Sequence, residues 1–183
     1  MPRSENWTDP LAKEMIAMLT EKLEKALQGQ INAELYSSYL YLSMAAYFES
    51  TNMSGMAQWM RVQAKEEEMH AIKFFDFIVN RGNRVKLAAI EAPPSQWESP
   101  LAAFQAAYAH EQKVTGLIHD LVKMAKDESD TATDIFLQWF VSEQVEEEKS
   151  ADAVVQNLKM AKDAPHALLM MDRELGQRQA GAE

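Results

Sequence analysis

The sequence predicts an all-α protein, and three features of its 183 residues carry that prediction. Glycine and proline are scarce, with six of each, whereas Ala, Leu, Met, Glu, Lys and Gln, which all favour helices, are abundant. Apolar residues recur every three or four positions through four long segments, which is typical of amphipathic helices. Cap and turn residues separate these segments. We therefore expect one domain, built as a four-helix bundle with a short fifth helix.

The composition narrows the range of functions. The chain has no cysteine, which excludes disulfides, zinc fingers and thiolate-bound iron. It has no apolar run of transmembrane length and no positively charged leader before an apolar stretch, so we expect a cytoplasmic protein without a membrane partner. A net charge of −10 argues against a nucleic-acid partner and favours cations, although solubility alone also explains such a charge.

Three segments divide the chain. The bundle and its short last helix are expected over residues 20–177, after an N-terminal extension at 1–19 and before a tail at 178–183. In the extension, Asp9 and Pro10 form a helix-start signal. The sequence leaves open whether that helix is separate from the first long helix or continues into it.

Cap residues set the helix boundaries within the bundle. The first long helix is expected from about Thr20, with Leu42 on its inward face, and Ser54 is the predicted cap of the second helix. The second helix is expected to end at Arg81 and Gly82, a cation followed by a glycine suited to the position after a helix end. The other predicted boundaries are the cap pair Ser99-Pro100, the acidic turn at 127–130 and the break at Ala164-Pro165.

The segment 83–98 predicts how the helices are connected. It contains Pro93 and Pro94 and is long for a connection inside a compact domain. An extended chain of this length spans about 55 Å, whereas the second helix is only about 42 Å long. The segment can therefore cross the full length of the bundle, which predicts one long crossover between the second and third helices.

Each long helix carries a carboxylate on its apolar stripe. These residues are Glu34, Glu67, Glu111 and Glu147. At 1.5 Å per residue, each lies near the middle of its helix, about 17 to 26 Å from the helix start. An antiparallel bundle then brings all four to one layer. Four buried carboxylates repel one another strongly unless protons or cations neutralise them. A single Glu that periodicity assigns to an inward face is often exposed to water instead. Four such residues at matched depth favour a metal site.

His70 extends this carboxylate layer, because it follows Glu67 by three residues on the same helical face. Oxygen-rich sites with one or two imidazoles suit hard or borderline metals, notably iron or manganese. Di-metal bundles in general use a Glu from each of two helices and a Glu-x-x-His motif from each of the other two. The fourth helix here offers Gln144 but no His, so we expect a lopsided site with imidazole on one metal only.

Other polar and aromatic residues have simpler interpretations. Tyr41 is by default a core aromatic with a satisfied hydroxyl, and a hydrogen-bonding or oxidation role near the site is the alternative. Trp139 is expected to pack. His110, His119 and His166 lie off the inward stripe or outside the bundle and are expected at the surface or at an interface.

The chain resembles non-haem ferritins of the bacterial and archaeal type over about residues 20–177. The resemblance rests on four stretches, at residues 30–41, 66–70, 110–112 and 136–148. It implies a ferritin-like four-helix bundle and, for the five central residues, a di-iron ferroxidase centre. In that centre Glu34, Glu67 and His70 match the ligands of the first iron. Glu67 also matches the bridge to a second iron, which Glu111 and Glu147 would bind.

The resemblance also implies secondary positions around this centre. Glu66, Glu143 and Glu146, together with Glu147, match a third iron site found in many bacterial-type ferritins. Gln144 matches a nearby polar group, and Tyr41 matches the tyrosine close to the di-iron centre.

The implied function is iron storage. The family oxidises Fe(II) with O2 or peroxide and deposits ferric oxide inside a homo-oligomeric cage of twenty-four chains, and no haem is expected. Three alternatives remain at this point. One, from a different class, is a di-iron oxidase or peroxide-detoxifying enzyme without storage. The others are a haem-containing bacterioferritin and a purely structural bundle.

Overall fold

A computed structural model describes residues 18–162 and 164–179 of the chain. Within these ranges the protein has five α-helices and no strand, which confirms the all-α prediction. The helices are α1 Glu21–Ser50, α2 Ser54–Asn80, α3 Pro100–Asp127, α4 Thr131–Ala161 and α5 Pro165–Leu175. The predicted helix start at Asp9 and Pro10 lies outside the described residues. None of the described helices is both long enough and apolar enough to cross a membrane.

The four long helices form a bundle in which α2 and α3 run in the same direction. A tight turn at residues 51–53 makes α1 and α2 antiparallel. Gln30 of α1 lies beside Leu121 of α3, and further along α1 the ring of Phe48 lies 5.5 Å from that of Phe104. Numbering thus rises along α1 while it falls along α3, so these two helices are antiparallel as well. Since α2 and α3 both oppose α1, the chain must return along the bundle between them.

Residues 83–98 make this return as an extended crossover, as predicted. The segment follows α1 closely, because three side chains of α1 donate hydrogen bonds to its backbone carbonyls. The pairs are Gln28 with Arg84 (3.2 Å), Asn32 with Ala89 (3.1 Å) and Ser43 with Pro94 (2.5 Å). These bonds satisfy polar backbone groups that have no helix or sheet partner.

Helix ends follow the predicted signals with one exception. Ser99 caps α3, since its hydroxyl accepts a hydrogen bond from the N–H of Ala102 at 3.1 Å. Gly82 has a φ of +78°, the left-handed conformation that glycine adopts readily after a helix end. The prediction that Ser54 caps α2 is wrong, because Ser54 is already helical and Met53 is the N-cap residue.

Two apolar clusters fill the bundle and leave a polar layer between them. Phe48 and Phe104 belong to the cluster at one end, and Phe74 and Phe140 belong to the cluster at the other. The prediction that Leu42 points inward is wrong, since its side chain is 49% exposed. The apolar stripe of α1 is therefore wider than the surface that α1 buries within one chain.

Candidate metal centre

All four mid-helix carboxylates lie in the polar layer of the bundle. The exposed fraction is 1% for Glu34, 2% for Glu67, 1% for Glu111 and 5% for Glu147, and the neighbouring His70 is 4% exposed. Each of the four long helices supplies one of these carboxylates. Charged groups are buried to this extent only when they are paired, protonated or bound to a cation.

Glu34, Glu67 and His70 form one compact group of potential ligands. Each offers an oxygen or nitrogen atom, and these three atoms lie within 4.8 Å of one another. The Nδ1 atom of His70 is 3.5 Å from Oε2 of Glu67. Oε1 of Glu34 accepts a hydrogen bond from Gln30 at 2.9 Å, whereas Oε2 of Glu34 is buried and has no hydrogen-bond partner among the described residues. A buried oxygen in this condition fits a cation site.

His70, Glu143 and Glu147 form a second group within the same 4.8 Å limit. Here the other ring nitrogen of His70, Nε2, lies 3.9 Å from Oε1 of Glu143. The imidazole therefore lies between the two groups, with one nitrogen directed to each. The structure does not bring Glu66 or Glu146 into a three-ligand group within residues 18–162 and 164–179, and Glu146 is exposed.

Neutral donors hold the carboxylate of Glu111. The hydroxyl of Tyr41 on α1 donates a hydrogen bond to its Oε1 atom, and Nε2 of Gln144 on α4 donates to its Oε2 atom at 3.3 Å. Gln144 also donates to the hydroxyl of Thr115, again at 3.3 Å. Tyr41 is thus a core aromatic whose hydroxyl is satisfied by a residue of the centre itself.

Gln63, which has no predicted role, also contacts the centre, and Arg178 contacts Gln63 in turn. Nε2 of Gln63 donates to Oε2 of Glu147 at 2.5 Å and lies 3.4 Å from Oε1 of Glu67. Its Oε1 atom accepts a hydrogen bond from Arg178 at 2.6 Å. Gln63 precedes Glu67 by four residues on the same face of α2, a spacing that could have indicated the contact. Arg178 follows α5, and no local pattern in the sequence links it to the site.

Burial raises the pKa of every carboxyl in the layer. Burial and the nearby charge of Glu67 raise the pKa of Glu34 to about 8. Burial and the nearby charge of Glu111 likewise raise the pKa of Glu147 to about 8. Burial raises the pKa of Glu111 to about 7. Burial also raises the pKa of Glu67 well above its usual value, as do the charges of Glu111 and Glu147. The metal-free centre therefore retains protons at neutral pH, and an arriving cation must displace them.

The remaining predicted positions are near the bundle surface or beside the centre. His119 and His166 are exposed, as predicted. His110 is half-buried and faces α1, where its Nε2 atom lies 2.7 Å from the hydroxyl of Ser37. Trp139 does pack, and it packs against the centre: its ring meets that of His70 edge-on at 5.4 Å.

Fold and site together define a class of protein, the four-helix bundles that hold a carboxylate and histidine metal centre between their helices. The family model of the Ferritin-like domain matches residues 24–161. A bacterial non-heme ferritin of Bacteroides fragilis is 45% identical over 161 residues, which cover 88% of this chain and 100% of the relative. A bacterial non-heme ferritin of Staphylococcus aureus is 36% identical, with 88% of this chain and 97% of the relative covered.

Solved structures agree with these sequence relatives. The crystal structure of an open pore ferritin from the hyperthermophilic archaeon Archaeoglobus fulgidus superposes with a TM-score of 0.87 and 57% sequence identity. The match covers 88% of this chain and 99% of the archaeal chain. The chain therefore belongs to the ferritin family. Membership of that family assigns it to iron storage with ferroxidase activity.

Proposed function

We propose that this chain oxidises Fe(II) at a di-iron centre in its buried carboxylate layer and stores the ferric product within a cage. One observation carries the proposal: carboxylates from four different helices and the imidazole of His70 share one buried layer. Such a layer is unfavourable by itself and becomes favourable once cations enter it. Iron is the substrate and the cargo of this reaction.

Two iron positions are proposed within this layer, with the ligands that the family resemblance implies. Glu34, Glu67 and His70 would hold the first iron, in line with their close grouping. Glu67, Glu111 and Glu147 would hold the second iron with carboxylate oxygens alone. Because only the first iron has a nitrogen ligand, we expect the second iron to be held more weakly and to pass on to storage.

The chain's own residues prepare the centre for this reaction. Tyr41, Gln63 and Gln144 orient the carboxylates of Glu111 and Glu147 through neutral hydrogen bonds, which add no positive charge to compete with iron. Two Fe(II) ions supply two electrons, which with two protons convert O2 to hydrogen peroxide, or peroxide to water. Hard anionic oxygens favour the more highly charged Fe(III) product over Fe(II).

A third iron is proposed beside the pair. Glu66, Glu143 and Glu146 would bind it together with Glu147. The position of Glu143 supports this proposal, because it lies half-buried at the edge of the layer and within ligand distance of Glu147.

Assembly into a cage of twenty-four chains is part of the proposal. Tyr39 and Leu42 of α1 and Ile90 of the crossover expose 40 to 51% of their surface around one shallow cleft. An exposed apolar patch of this kind is typical of an interaction surface. Particle mass measured by light scattering tests the assembly, and a monomer at all salt and iron concentrations would contradict it.

Replacing Glu67 with Ala tests the oxidation step, because this residue is proposed to contact both irons. We expect rapid Fe(II) oxidation in stopped-flow absorbance to be lost while the helical content is retained. Asp76→Ala provides the matched control, since Asp76 is an exposed acid on the same helix. Oxidation rates in Glu67→Ala equal to those of the control would contradict the proposed centre.

Iron loading separates storage from the alternatives. Storage predicts hundreds of irons or more per particle after aerobic addition of Fe(II), as the family resemblance implies. A di-iron oxidase without storage would stop at two or three irons per chain. A Soret band in the purified protein would instead support a haem-containing bacterioferritin.

A further inference from the structure

Arg178, three residues beyond the end of α5, reaches back to the rim of the metal centre. Its Nη2 atom donates to Oε2 of Glu66 at 2.7 Å, and its Nη1 atom donates to Oε1 of Gln63 at 2.6 Å. The guanidinium also lies over the indole of Trp59, 4.6 Å from the ring centroid. One cation thus contacts a carboxylate, an amide and an aromatic face at once.

These contacts form a largely enclosed site. The side chain of Arg178 is 24% exposed and that of Glu66 is 19% exposed, while Trp59 and Gln63 are buried. Ion pairs that are shielded from water are screened little by salt. A planar guanidinium that also stacks on an aromatic ring is well positioned for directed hydrogen bonds.

The position of α5 places Arg178 at this site. Asp172 of α5 accepts a hydrogen bond from the backbone N–H of Met56 at 2.8 Å. Gly55 makes the close approach possible, because a Cβ atom there would lie only 1.6 Å from the carbonyl oxygen of Asp172. The first turn of α2 and the last helix are therefore in direct contact, one turn away from Trp59.

Glu66 is one of the carboxylates proposed for the third iron, so Arg178 and that iron would bind the same carboxylate. We propose that Arg178 is an internal counter-ion that competes with metal for Glu66 and thereby weakens the third iron site. This inference rests on the proposed function. A divalent ion that binds Glu66 must compete with the guanidinium, because Oε2 of Glu66 already accepts a hydrogen bond from Arg178 and the nearby positive charge repels the ion.

Gln63 extends the effect to the di-iron pair. While Arg178 donates to its Oε1 atom, the amide must direct its NH2 group the other way, towards Glu147 and Glu67. Displacement of Arg178 by a third metal removes this constraint on the amide. Occupancy of the third iron site is thereby coupled to the hydrogen bond that Gln63 donates to Glu147 in the centre.

Calorimetric titration of the metal-free protein with Zn2+ tests the competition without iron oxidation. We expect two tight ions per chain in the unmodified protein and a weaker third. In Arg178→Gln, the third ion should bind more tightly by about 5- to 150-fold, the range typical of coupling between sites, while the first two change little. Arg178→Lys keeps the positive charge but loses the planar group that bonds Gln63 and Glu66 together, so its third-ion affinity should lie between those of the unmodified protein and Arg178→Gln.

Arg173→Gln is the matched control, because it removes the same charge from an exposed position on α5. Equal third-ion affinity in Arg178→Gln and Arg173→Gln, with two tight ions in both, would overturn the role of Arg178 and leave the proposed function intact. Failure of the unmodified protein to bind two tight ions would instead overturn the proposed function.

A zinc-loaded crystal of the unmodified protein gives a second readout. Anomalous scattering is expected to show the third ion at Glu66 with the guanidinium of Arg178 displaced from it. A zinc ion bound to Glu66 while Arg178 keeps its present contact would also overturn the inference.

Discussion

Asp172 on α5 caps α2, although it lies 116 residues further along the chain than its partner Met56. Its Oδ1 atom accepts a hydrogen bond from the backbone N–H of Met56 at 2.8 Å. The first backbone N–H groups of a helix have no partner within the helix, and a carboxylate there also meets the positive end of the helix dipole. Met53, the N-cap residue, makes no side-chain cap bond in the described structure. A single contact thus caps one helix and fixes the position of another.

Removing this cap should destabilise the protein modestly. Asp172→Ala is expected to lower the free energy of unfolding by about 1 kcal/mol, the usual value of a cap residue. Amide hydrogen exchange should also become faster in the first turn of α2. Asp172→Asn keeps an oxygen acceptor and should lose less than Ala does. Unchanged exchange in residues 54–57 of the Ala variant would show that the contact contributes nothing in solution.

Gly55→Ala is expected to undock α5 without unfolding the bundle. The new Cβ atom would overlap the backbone of Asp172, with 1.6 Å between the atoms, so one of the two backbones must move. We expect faster hydrogen exchange and proteolysis in residues 164–179, with helical content otherwise retained. Gly116→Ala is the control, because nothing lies within 4 Å of a Cβ atom there. Ala is a better helix former than Gly, so the control should be stabilised by about 0.5 to 1 kcal/mol.

A fork of hydrogen bonds joins the end of α2 to the start of α4. Arg81 donates to both carboxylate oxygens of Asp130, at 2.9 and 2.8 Å, and Asp130 also accepts from the N–H of Thr133 at 2.9 Å. Asp130→Ala should therefore lower the free energy of unfolding by about 2 to 3 kcal/mol at pH 7. The midpoint of urea unfolding measures this change. Lys22→Ala is the control, because the pair of Lys22 with Glu128 is largely exposed on the lysine side and should contribute about 0 to 1 kcal/mol.

The contribution of Asp130 should also depend on pH. The hydrogen bonds from Arg81 hold the pKa of Asp130 below its usual 3.8. A depressed pKa means that the stabilisation is complete above the unfolded-state value and is lost as the pH falls through the folded-state value. The difference between Asp130→Ala and the unmodified protein should then shrink at acid pH below 3.8. A difference that stays constant to the lowest accessible pH would contradict this assignment.

Metal binding at the centre should release protons. The pKa values of Glu34 and Glu147 are raised to about 8 by burial and by neighbouring carboxylates, so both groups are protonated at pH 6. Calorimetric titration with Zn2+ in buffers of different ionisation enthalpy counts the protons released. Glu34→Gln should release about one proton fewer, because the amide has none to lose. Equal proton release in both proteins would argue against Glu34 as a ligand.

The same raised pKa values predict how the metal-free protein responds to alkali. A group whose pKa rises on folding stabilises the folded state below its unfolded-state value, and that contribution is lost as the pH rises through the folded-state value. For Glu34 this window extends from 4.5 to about 8. Thermal unfolding of the metal-free protein should accordingly shift to lower temperature across this range. Saturation with Zn2+ should reduce the shift, since the cation neutralises the layer.

Sequence reasoning succeeded where the signal was local. The placement of Glu34, Glu67 and His70 on inward faces follows from helical periodicity, and their common depth follows from counting residues along each helix. The crossover followed from its length alone. These inferences need only one helix or one loop at a time, and the structure places all three side chains in one buried layer.

Two features, the exposure of Leu42 and the cap of α2, depend on parts of the molecule that are remote in the chain or belong to another chain. Leu42 has the periodicity of a core residue but is 49% exposed, because amphipathicity does not distinguish the core of one chain from a face available to another. Ser54 has the chemistry of a cap, but the actual cap of α2 comes from Asp172, which is remote in the chain.

The sequence alone determined the helices, their connection, and the depth and face of each carboxylate on its own helix, since each depends on residues close together in the chain. Three features depend on the tertiary structure alone. They are the carboxylates that group with His70, the donors that orient these carboxylates, and the hydrogen bond from Arg178 to Glu66. The physical reason is that these contacts join residues from separate helices. Their geometry depends on how the helices pack, and helical periodicity carries no record of that packing.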